Sequence, residues 1–157
     1  MDLAELEKTM LSGATLEEIA EKITWQEFED LCLSILEENG FHTGKHFRFK
    51  DKEGKRHEID ILATKPLVKK HGKGAARTTK HMAIDCKHWG CGRTSALKTA
   101  AEKQKERVKA LKQLPEFKRK KTIPAILTLF QENIIKRDDA WIVPVFRLNA
   151  FLNSGNV

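Results

Sequence analysis

The chain has 157 residues and a net charge of +7; 40% of the residues are apolar and 32% are charged. This balance is typical of one globular domain rather than of a disordered chain. No apolar run approaches the roughly 20 residues that span a bilayer. The N-terminal stretch MDLAELEKTM lacks the basic and then apolar pattern of a signal peptide. We therefore expect a cytoplasmic protein that makes no contact with a membrane.

The charges are unevenly distributed along the chain. Residues 1–40 carry 2 Lys or Arg against 11 Asp or Glu, whereas residues 41–121 carry 24 against 8, a net charge of +16. A central block this basic predicts an anionic partner, above all a nucleic acid. The alternative is a solvated, lysine-rich surface without a specific partner.

The first 40 residues have helical periodicity. LAELEKTMLSG predicts a short helix that ends near Gly13, and Thr15 followed three residues later by Glu18 predicts a second helix with a capping box. The strongest pattern is TWQEFEDLCLSILEENG, in which apolar residues recur at helical spacing until Gly40 ends the helix.

The period then changes to two. HFRFK, the turn signal DKEG and the segment KRHEIDILA together predict a β-hairpin. Residues 64–80, TKPLVKKHGKGAARTTK, are polar and contain glycine, and we interpret them as a surface loop. HMAIDCKHW predicts the next strand.

The second half of the chain alternates between helix and strand. TSALKTAAEKQKERVKALKQL predicts a long helix, KTIPAILTLF a buried strand, QENIIKRDDA a short helix, WIVPVF a strand and RLNAFLNS a terminal helix. This order predicts an α/β fold, a mixed β-sheet flanked by helices. We divide the chain into an N-terminal helical extension, residues 1–23, and a main domain, residues 24–157.

Two acidic residues stand where the pattern predicts apolar surroundings. Glu29 borders the apolar stripe of the third helix, and Asp60 in RHEIDILA lies between two isoleucines. Aspartate is disfavoured in strands and is rarely buried unless it is paired. Simpler explanations exist for both: Glu29 as a carboxylate at the rim of the core, and Asp60 as a buried acid matched to one arginine.

The stretch MAIDCKHW places a charged pair in an apolar strand. Asp85 and Lys87 share one face of the strand because alternate side chains point the same way. If Asp60 and Asp85 lie on adjacent strands, their carboxylates repel each other unless a divalent cation lies between them. Oxygen ligands favour Mg²⁺ or Mn²⁺. A plain ion pair between Asp85 and Lys87 is the alternative.

A zinc site is a further alternative for the same stretch. Cys86, His88 and Cys91, with His81 nearby, are residue types that bind zinc. Their spacing is not one of the common structural zinc patterns, and free cysteine is an ordinary core residue.

Four segments, in this order, resemble the PD-(D/E)xK nucleases: WQEFEDL followed by ENGF, then HEIDILA, AIDCKHW and IPAILTLF. The similarity is to Mrr-type restriction endonucleases and, more distantly, to archaeal Holliday-junction resolvases, over residues 24–150. The sequence has Ile59 where the family name has Pro, and Asp85 in place of Glu. Gln104 in EKQKERV resembles a glutamine that follows the lysine in some relatives.

The resemblance implies a restriction-endonuclease-like core and a hydrolase that cleaves DNA with Mg²⁺ or Mn²⁺. Matched by position, Glu29 is the helix acid, Asp60 is the first strand acid, and Asp85 with Lys87 forms the (D/E)xK pair. We expect the three acids to bind the metal and Lys87 to act on the attacking water or the phosphate. A homodimer is also implied, because cutting two strands requires two sites.

The basic segment 64–80 joins the strands that carry Asp60 and Asp85, so we expect it near the site, where it would neutralise DNA phosphates. Its basic residues are Lys65, Lys69, Lys70, Lys73, Arg77 and Lys80. The alternative is a solvated insertion. For the whole protein, the alternatives are a nucleic-acid-binding module that does not cut, and a nuclease-like subunit of a larger complex.

Overall fold

A computed structural model describes residues 2–71, 74–88, 94–129 and 133–155, and it describes Leu3, Leu16, 67–71 and 74–78 by their backbone only. The helices are α1 (Leu3–Leu11), α2 (Leu16–Lys22), α3 (Trp25–Glu38), α4 (Thr94–Leu111) and α5 (Val145–Leu152). The strands are β1 (His42–Lys50), β2 (Arg56–His71), β3 (Gly74–Lys87), β4 (Thr122–Thr128), β5 (Ile135–Arg137) and β6 (Ala140–Pro144).

Each of the first three helices begins with a capping box, as the sequence predicts for α2. Asp2, Thr15 and Thr24 accept a hydrogen bond from the backbone N–H three residues on, and a glutamate side chain accepts one in return. These reciprocal bonds satisfy N–H groups that have no partner within the helix. The predicted stop signals are confirmed where Gly13 and Gly40 take φ angles of 85° and 84°.

The strands form one mixed sheet with the order β1-β2-β3-β4-β6-β5. Its first three strands are antiparallel, β3, β4 and β6 are parallel, and β5 is antiparallel to β6. This confirms the predicted α/β class. The short helix predicted over QENIIKRDDA is wrong, because β5 occupies part of that segment. Asp138 and Asp139 both have positive φ, which suits a tight turn between β5 and β6.

The loop predicted at residues 64–80 is also wrong. There β2 and β3 continue as an antiparallel ladder from Lys65 opposite Lys80 to His71 opposite Gly74. β1 pairs with β2 only as far as Thr64, and β4 pairs with β3 only from His81 onward. The basic segment is therefore a two-stranded ribbon that projects beyond the rest of the sheet.

Helices cover both faces of the sheet. On one face, α3 and α5 bury the larger apolar core, to which Leu6, Ile19 and Ile23 of the N-terminal helices also belong. On the other face, α4 packs over two smaller apolar clusters. Every residue of β4 is buried, as predicted from its apolar sequence. The two covered faces matter for function because the candidate residues divide between them.

Replacement of the cap of α3 is expected to destabilise the fold. Thr24→Ala removes the oxygen that accepts the Glu27 N–H, and we expect the free energy of unfolding in urea to fall by about 1 kcal/mol. Ser34→Ala is the control, because Ser34 lies mid-helix, exposed, and bonds only back to Asp30 O. Equal losses in the two variants would contradict a capping role for Thr24.

Candidate active site

The candidate site forms where β2 and β3 stop pairing. Their ladder ends at Ile61 opposite Ile84, so the next residues in the register are Asp60 and Asp85. Beyond this point, Asp60 Oδ2 accepts a hydrogen bond of 2.9 Å from the backbone N–H of Cys86. The carboxylate thus serves a strand N–H that the ladder no longer satisfies, and it lies beside Asp85.

β1 is irregular at the same point. His46, which the register of β1 and β2 places opposite Asp60, has a φ of 51°, which is uncommon for a residue with a side chain. Ile61 belongs to the core under α3, whereas Ile59 belongs to a cluster under α4. Residues two apart on a regular strand share a face. β2 therefore changes faces at Asp60.

Asp85 is buried among positive charges. It is 3% exposed, Lys87 Nζ lies 2.9 Å from its Oδ2, and Arg107 Nη1 of α4 lies 3.6 Å from its Oδ1. Among the described residues, Oδ2 has no hydrogen-bond partner, so its contact with Lys87 is an ion pair. The expectation that Asp85 and Lys87 share a face is confirmed by this contact, and Arg107 adds a second cation from the helix above.

The surroundings of Asp60 change the pKa of its carboxylate. The pKa of Asp60 is raised to about 6, first because burial removes water from the carboxylate. The N–H of Cys86 opposes this rise, and the charge and hydrogen bonding of Asp85 add to it, while Lys87 lowers the pKa. The structure therefore brings Asp60, Asp85 and Lys87 together.

Glu29 lies on the α3 side of the sheet and has a different set of neighbours. It is 1% exposed, and its Oε2 lies 3.7 Å from His46 Nε2. Burial raises its pKa, and the charges of His46 and Lys45 oppose that rise. In the described part of the chain neither oxygen of Glu29 accepts a hydrogen bond. A buried carboxylate with so little compensation is costly, and the interpretation of Glu29 as a solvated rim residue is excluded.

The predicted meeting of three carboxylates is only partly present. Asp60 and Asp85 are neighbours, whereas the nearest charged contact of Glu29 is His46, which also holds Glu58 at 3.0 Å through Nδ1. Among the described residues, no group of three or more His, Cys, Asp or Glu side chains is placed to hold a metal ion. Glu29 therefore stays a predicted ligand, and the two strand acids are the pair that the fold brings together.

The expectation that the basic segment lies near the site is wrong, because the ribbon extends from the end of the β2–β3 ladder opposite to Asp60 and Asp85. Lys65 Nζ donates a 2.8 Å hydrogen bond to Asn39 O and lies 5.4 Å from the centre of the Phe41 ring. Lys65 thus secures the C-terminal end of α3, which gives it a structural role that the sequence does not reveal. Lys80 is half-buried. The side chains of Lys69, Lys70 and Arg77, and the whole of Lys73, lie outside what is described.

The histidines and cysteines do not assemble a zinc site among the described residues. The pKa of the Cys86 thiol is raised above its usual range, first by its contact with the buried Cys32 and then by burial. His81 bonds instead to Thr64, while His88 lies 6.0 Å from the Phe28 ring. Cys91 lies outside the described residues, so the zinc alternative is not tested at that position.

Two residues of α4, Gln104 and Arg107, also belong to the surroundings of Asp85. Gln104 is fully buried, and its Nε2 donates a 2.7 Å hydrogen bond to Ala83 O, while its Oε1 accepts one from Arg107 at 3.1 Å. A pocket of about 330 Å³ lies between this helix and the end of β3. Sequence reasoning noted Gln104 but missed Arg107, although the spacing of Ala100, Gln104 and Arg107 places them on one helix face.

Comparison with known proteins identifies the family of this chain. The restriction endonuclease family model Mrr_cat matches residues 20–126. An uncharacterized protein of Archaeoglobus fulgidus is 31% identical over 132 residues, which cover 83% of this chain and 90% of that protein. A crystal structure of a protein of unknown function, AF1548, has a TM-score of 0.41 and 21% identity. That match covers 69% of this chain and 49% of the other, so the chain spans about half the length of that protein.

The chain belongs to the Mrr-type restriction endonuclease family, a family of nucleases with the PD-(D/E)xK pattern. This confirms the resemblance that the sequence motifs indicate, and with it the restriction-endonuclease-like sheet. None of the described helices is long and apolar enough to cross a membrane.

Asp60→Asn is expected to change how stability depends on pH in the metal-free protein. An unfolded aspartate loses its proton near pH 3.9, but folded Asp60 keeps its proton up to about pH 6. The folded state therefore binds more protons between these values, and wild-type stability falls as pH rises through them. The variant lacks this loss, so its stability relative to wild type should increase from about pH 4 to about pH 7.

Urea unfolding in the presence of a chelator measures this difference. Asp30→Asn is the matched control, because Asp30 is an exposed acid of α3 that contacts Lys45. If the pH profiles of wild type and Asp60→Asn ran parallel, a raised pKa of Asp60 would be excluded.

Proposed function

We propose that the protein is a metal-dependent endonuclease that hydrolyses phosphodiester bonds of DNA, in restriction, repair or recombination. The observation that carries this proposal is the juxtaposition of two carboxylates, the half-buried Asp60 and the buried Asp85, next to the amine of Lys87. A second carboxylate nearby disfavours the charged form of a carboxyl group. Groups with shifted pKa values are concentrated at functional sites.

The residues fit a divalent cation of the Mg²⁺ or Mn²⁺ type. Asp60 and Asp85 present carboxylate oxygens at one place, and their mutual repulsion is the feature that a cation relieves. Glu29 is the third proposed ligand, supported by its burial and by oxygens that accept no hydrogen bond from the described residues. When bound, the metal would polarise the phosphate and lower the pKa of a water molecule.

Lys87 is proposed to act on the substrate. Its ammonium lies at the end of β3, on one side of the pocket, and is 2.9 Å from Asp85 Oδ2. In this position it would orient the attacking water or stabilise the negative charge that develops on the phosphate. Its ion pair with Asp85 positions the amine before the substrate arrives.

DNA is the proposed substrate because of the family and the charge of the chain. The family is one of nucleases, and residues 41–121 carry the net charge of +16. The β2–β3 ribbon extends from the end of the ladder opposite to Asp60 and Asp85, so it is proposed to hold DNA at a distance from these residues. A homodimer is the proposed assembly, since one site cuts one strand.

A binding module that does not cut is the second candidate. The observation that favours it is the compensation of Asp85 by two cations, Lys87 and Arg107, which satisfies this acid without a metal. The two candidates differ in their need for metal, because a binding module would hold DNA equally well with a chelator present. A nuclease-like subunit would also cut only together with its partner.

Plasmid cleavage in Mg²⁺ or Mn²⁺ tests the proposed function. We expect nicked or linear DNA from the wild type and no product with a chelator. Asp85→Asn and Lys87→Met should each lower the cleavage rate by about 10²-fold or more, because each removes a charge that stabilises the transition state. The control variant is Lys8→Ala, which replaces a lysine of α1. It should cleave DNA at the wild-type rate.

Three results would count against a metal-dependent nuclease that uses these residues. They are cleavage that survives in Asp85→Asn, cleavage unaffected by the chelator, and no cleavage of plasmid or branched DNA under any metal condition. Thermal unfolding of each variant separates loss of chemistry from loss of fold.

The ribbon is expected to contribute salt-dependent DNA affinity. Replacing Lys69, Lys70 and Arg77 together by Ala should weaken binding and reduce the slope of log affinity against log salt by about 3, or 0.9 per lost phosphate contact. Replacing Lys118, Arg119 and Lys121 by Ala removes the same charge from an exposed segment before β4 and is the control. Equal changes in slope would show that only the net charge of the protein matters.

A further inference from the structure

The pocket between α4 and the end of β3 has a charge pattern that the proposed cleavage does not by itself explain. It measures about 330 Å³, and its lining includes three cations, one hydroxyl and one carboxylate: Lys87, Lys103, Arg107, Thr99 and Asp85. The cations exceed the single acid by two charges. An anion is therefore the ligand that this pocket suits electrostatically.

Arg107 is held in place at the wall of this pocket. Its Nη1 donates to Gln104 Oε1 at 3.1 Å, and Gln104, fully buried, is fixed by its bond to Ala83 O on β3. A guanidinium has five N–H donors. One is used by Gln104, and the contact to Asp85 at 3.6 Å is longer than a hydrogen bond. Arg107 is thus anchored but retains donors that match the oxygens of a phosphate.

The same guanidinium affects Asp85. An arginine does not lose its proton in a protein, so the charge 3.6 Å from Asp85 Oδ1 opposes any cation that approaches this carboxylate. Lys87 has the same effect from Oδ2. In the free protein, the two cations balance the charges of Asp60 and Asp85, and a divalent ion must compete with them.

We propose that a backbone phosphate of the DNA binds in this pocket against Arg107, and that Arg107 thereby makes phosphate binding and metal binding favour each other. This inference rests on the proposed function and deepens it. The phosphate supplies negative charge that offsets the charge of the guanidinium, which leaves the Asp85 carboxylate more available to a metal. Because the coupling is reciprocal, bound metal must strengthen phosphate binding by the same factor.

Mn²⁺ titrations followed by electron paramagnetic resonance test the coupling without measuring cleavage. The probe is a short DNA duplex with a phosphorothioate backbone, which keeps the charge and resists hydrolysis. A methylphosphonate duplex of the same sequence, which is uncharged, is the comparison. For the wild type, we expect the charged duplex to raise Mn²⁺ affinity by about fivefold or more and the uncharged duplex to leave it unchanged.

Arg107→Gln should bind Mn²⁺ about fivefold more tightly than wild type without DNA, and the charged duplex should add little. Arg107→Lys keeps the charge and should stay as weak as wild type without DNA, which guards against an effect of misfolding. The matched control is Arg147→Gln, an exposed arginine of α5 on the other side of the sheet. It should behave as the wild type.

The inference is overturned if Arg107→Gln and Arg147→Gln give the same Mn²⁺ affinities, or if both duplexes act equally on the wild type. In those cases Mn²⁺ still binds and the proposed nuclease function stands. If no variant binds Mn²⁺ with or without DNA, the metal-dependent function fails together with the inference.

Discussion

The end of the ladder between β2 and β3 is the constraint on which the candidate site depends. Antiparallel pairing up to Ile61 and Ile84 leaves Asp60 and Asp85 side by side, with Asp85 buried and Asp60 half-buried. The pKa of Asp60 is raised first by this burial and then by the charge of Asp85. The N–H of Cys86 and the amine of Lys87 oppose the rise but do not remove it. The proposed metal binding would offset the same repulsion.

The charged side chains around that point lie on both faces of the sheet. On the α4 side, Asp85 has Lys87 and Arg107 as neighbours, and a pocket opens beside them. On the α3 side, Glu29 is buried against His46, which bridges to Glu58. Lys87 and Arg107 thus lie on the α4 side, and the weakly compensated Glu29 lies on the α3 side. The two aspartates and Lys87 belong to the same pair of strands as the basic ribbon.

Local sequence patterns predicted the parts of this structure that depend on local interactions. The capping box at Thr15, the end of α3 at Gly40 and the buried strand β4 follow from short-range chemistry and are confirmed. Alternation in MAIDCKHW correctly placed Asp85 beside Lys87, and chain order correctly placed Asp60 on the neighbouring strand. The mixed sheet followed from the sequence of elements.

The rest depends on contacts that distant residues make. Residues 64–71 and 74–80 form strands although lysines interrupt their pattern, because β2 and β3 pair with each other along the ribbon. The positive φ of His46 and the change of face at Asp60 arise from the fit of three strands. Arg107 reaches Asp85 only because Gln104 docks α4 onto β3, and no spacing within the helix reveals that partner.

Crystals soaked in Mn²⁺ and measured for anomalous scattering would test the central claim most directly. The account predicts a peak within coordination distance of carboxylate oxygens of both Asp60 and Asp85, with the Lys87 amine beside it. Crystals that contain Mn²⁺ elsewhere, with Asp85 still paired to Lys87 and Arg107 and no density between the two aspartates, would contradict it.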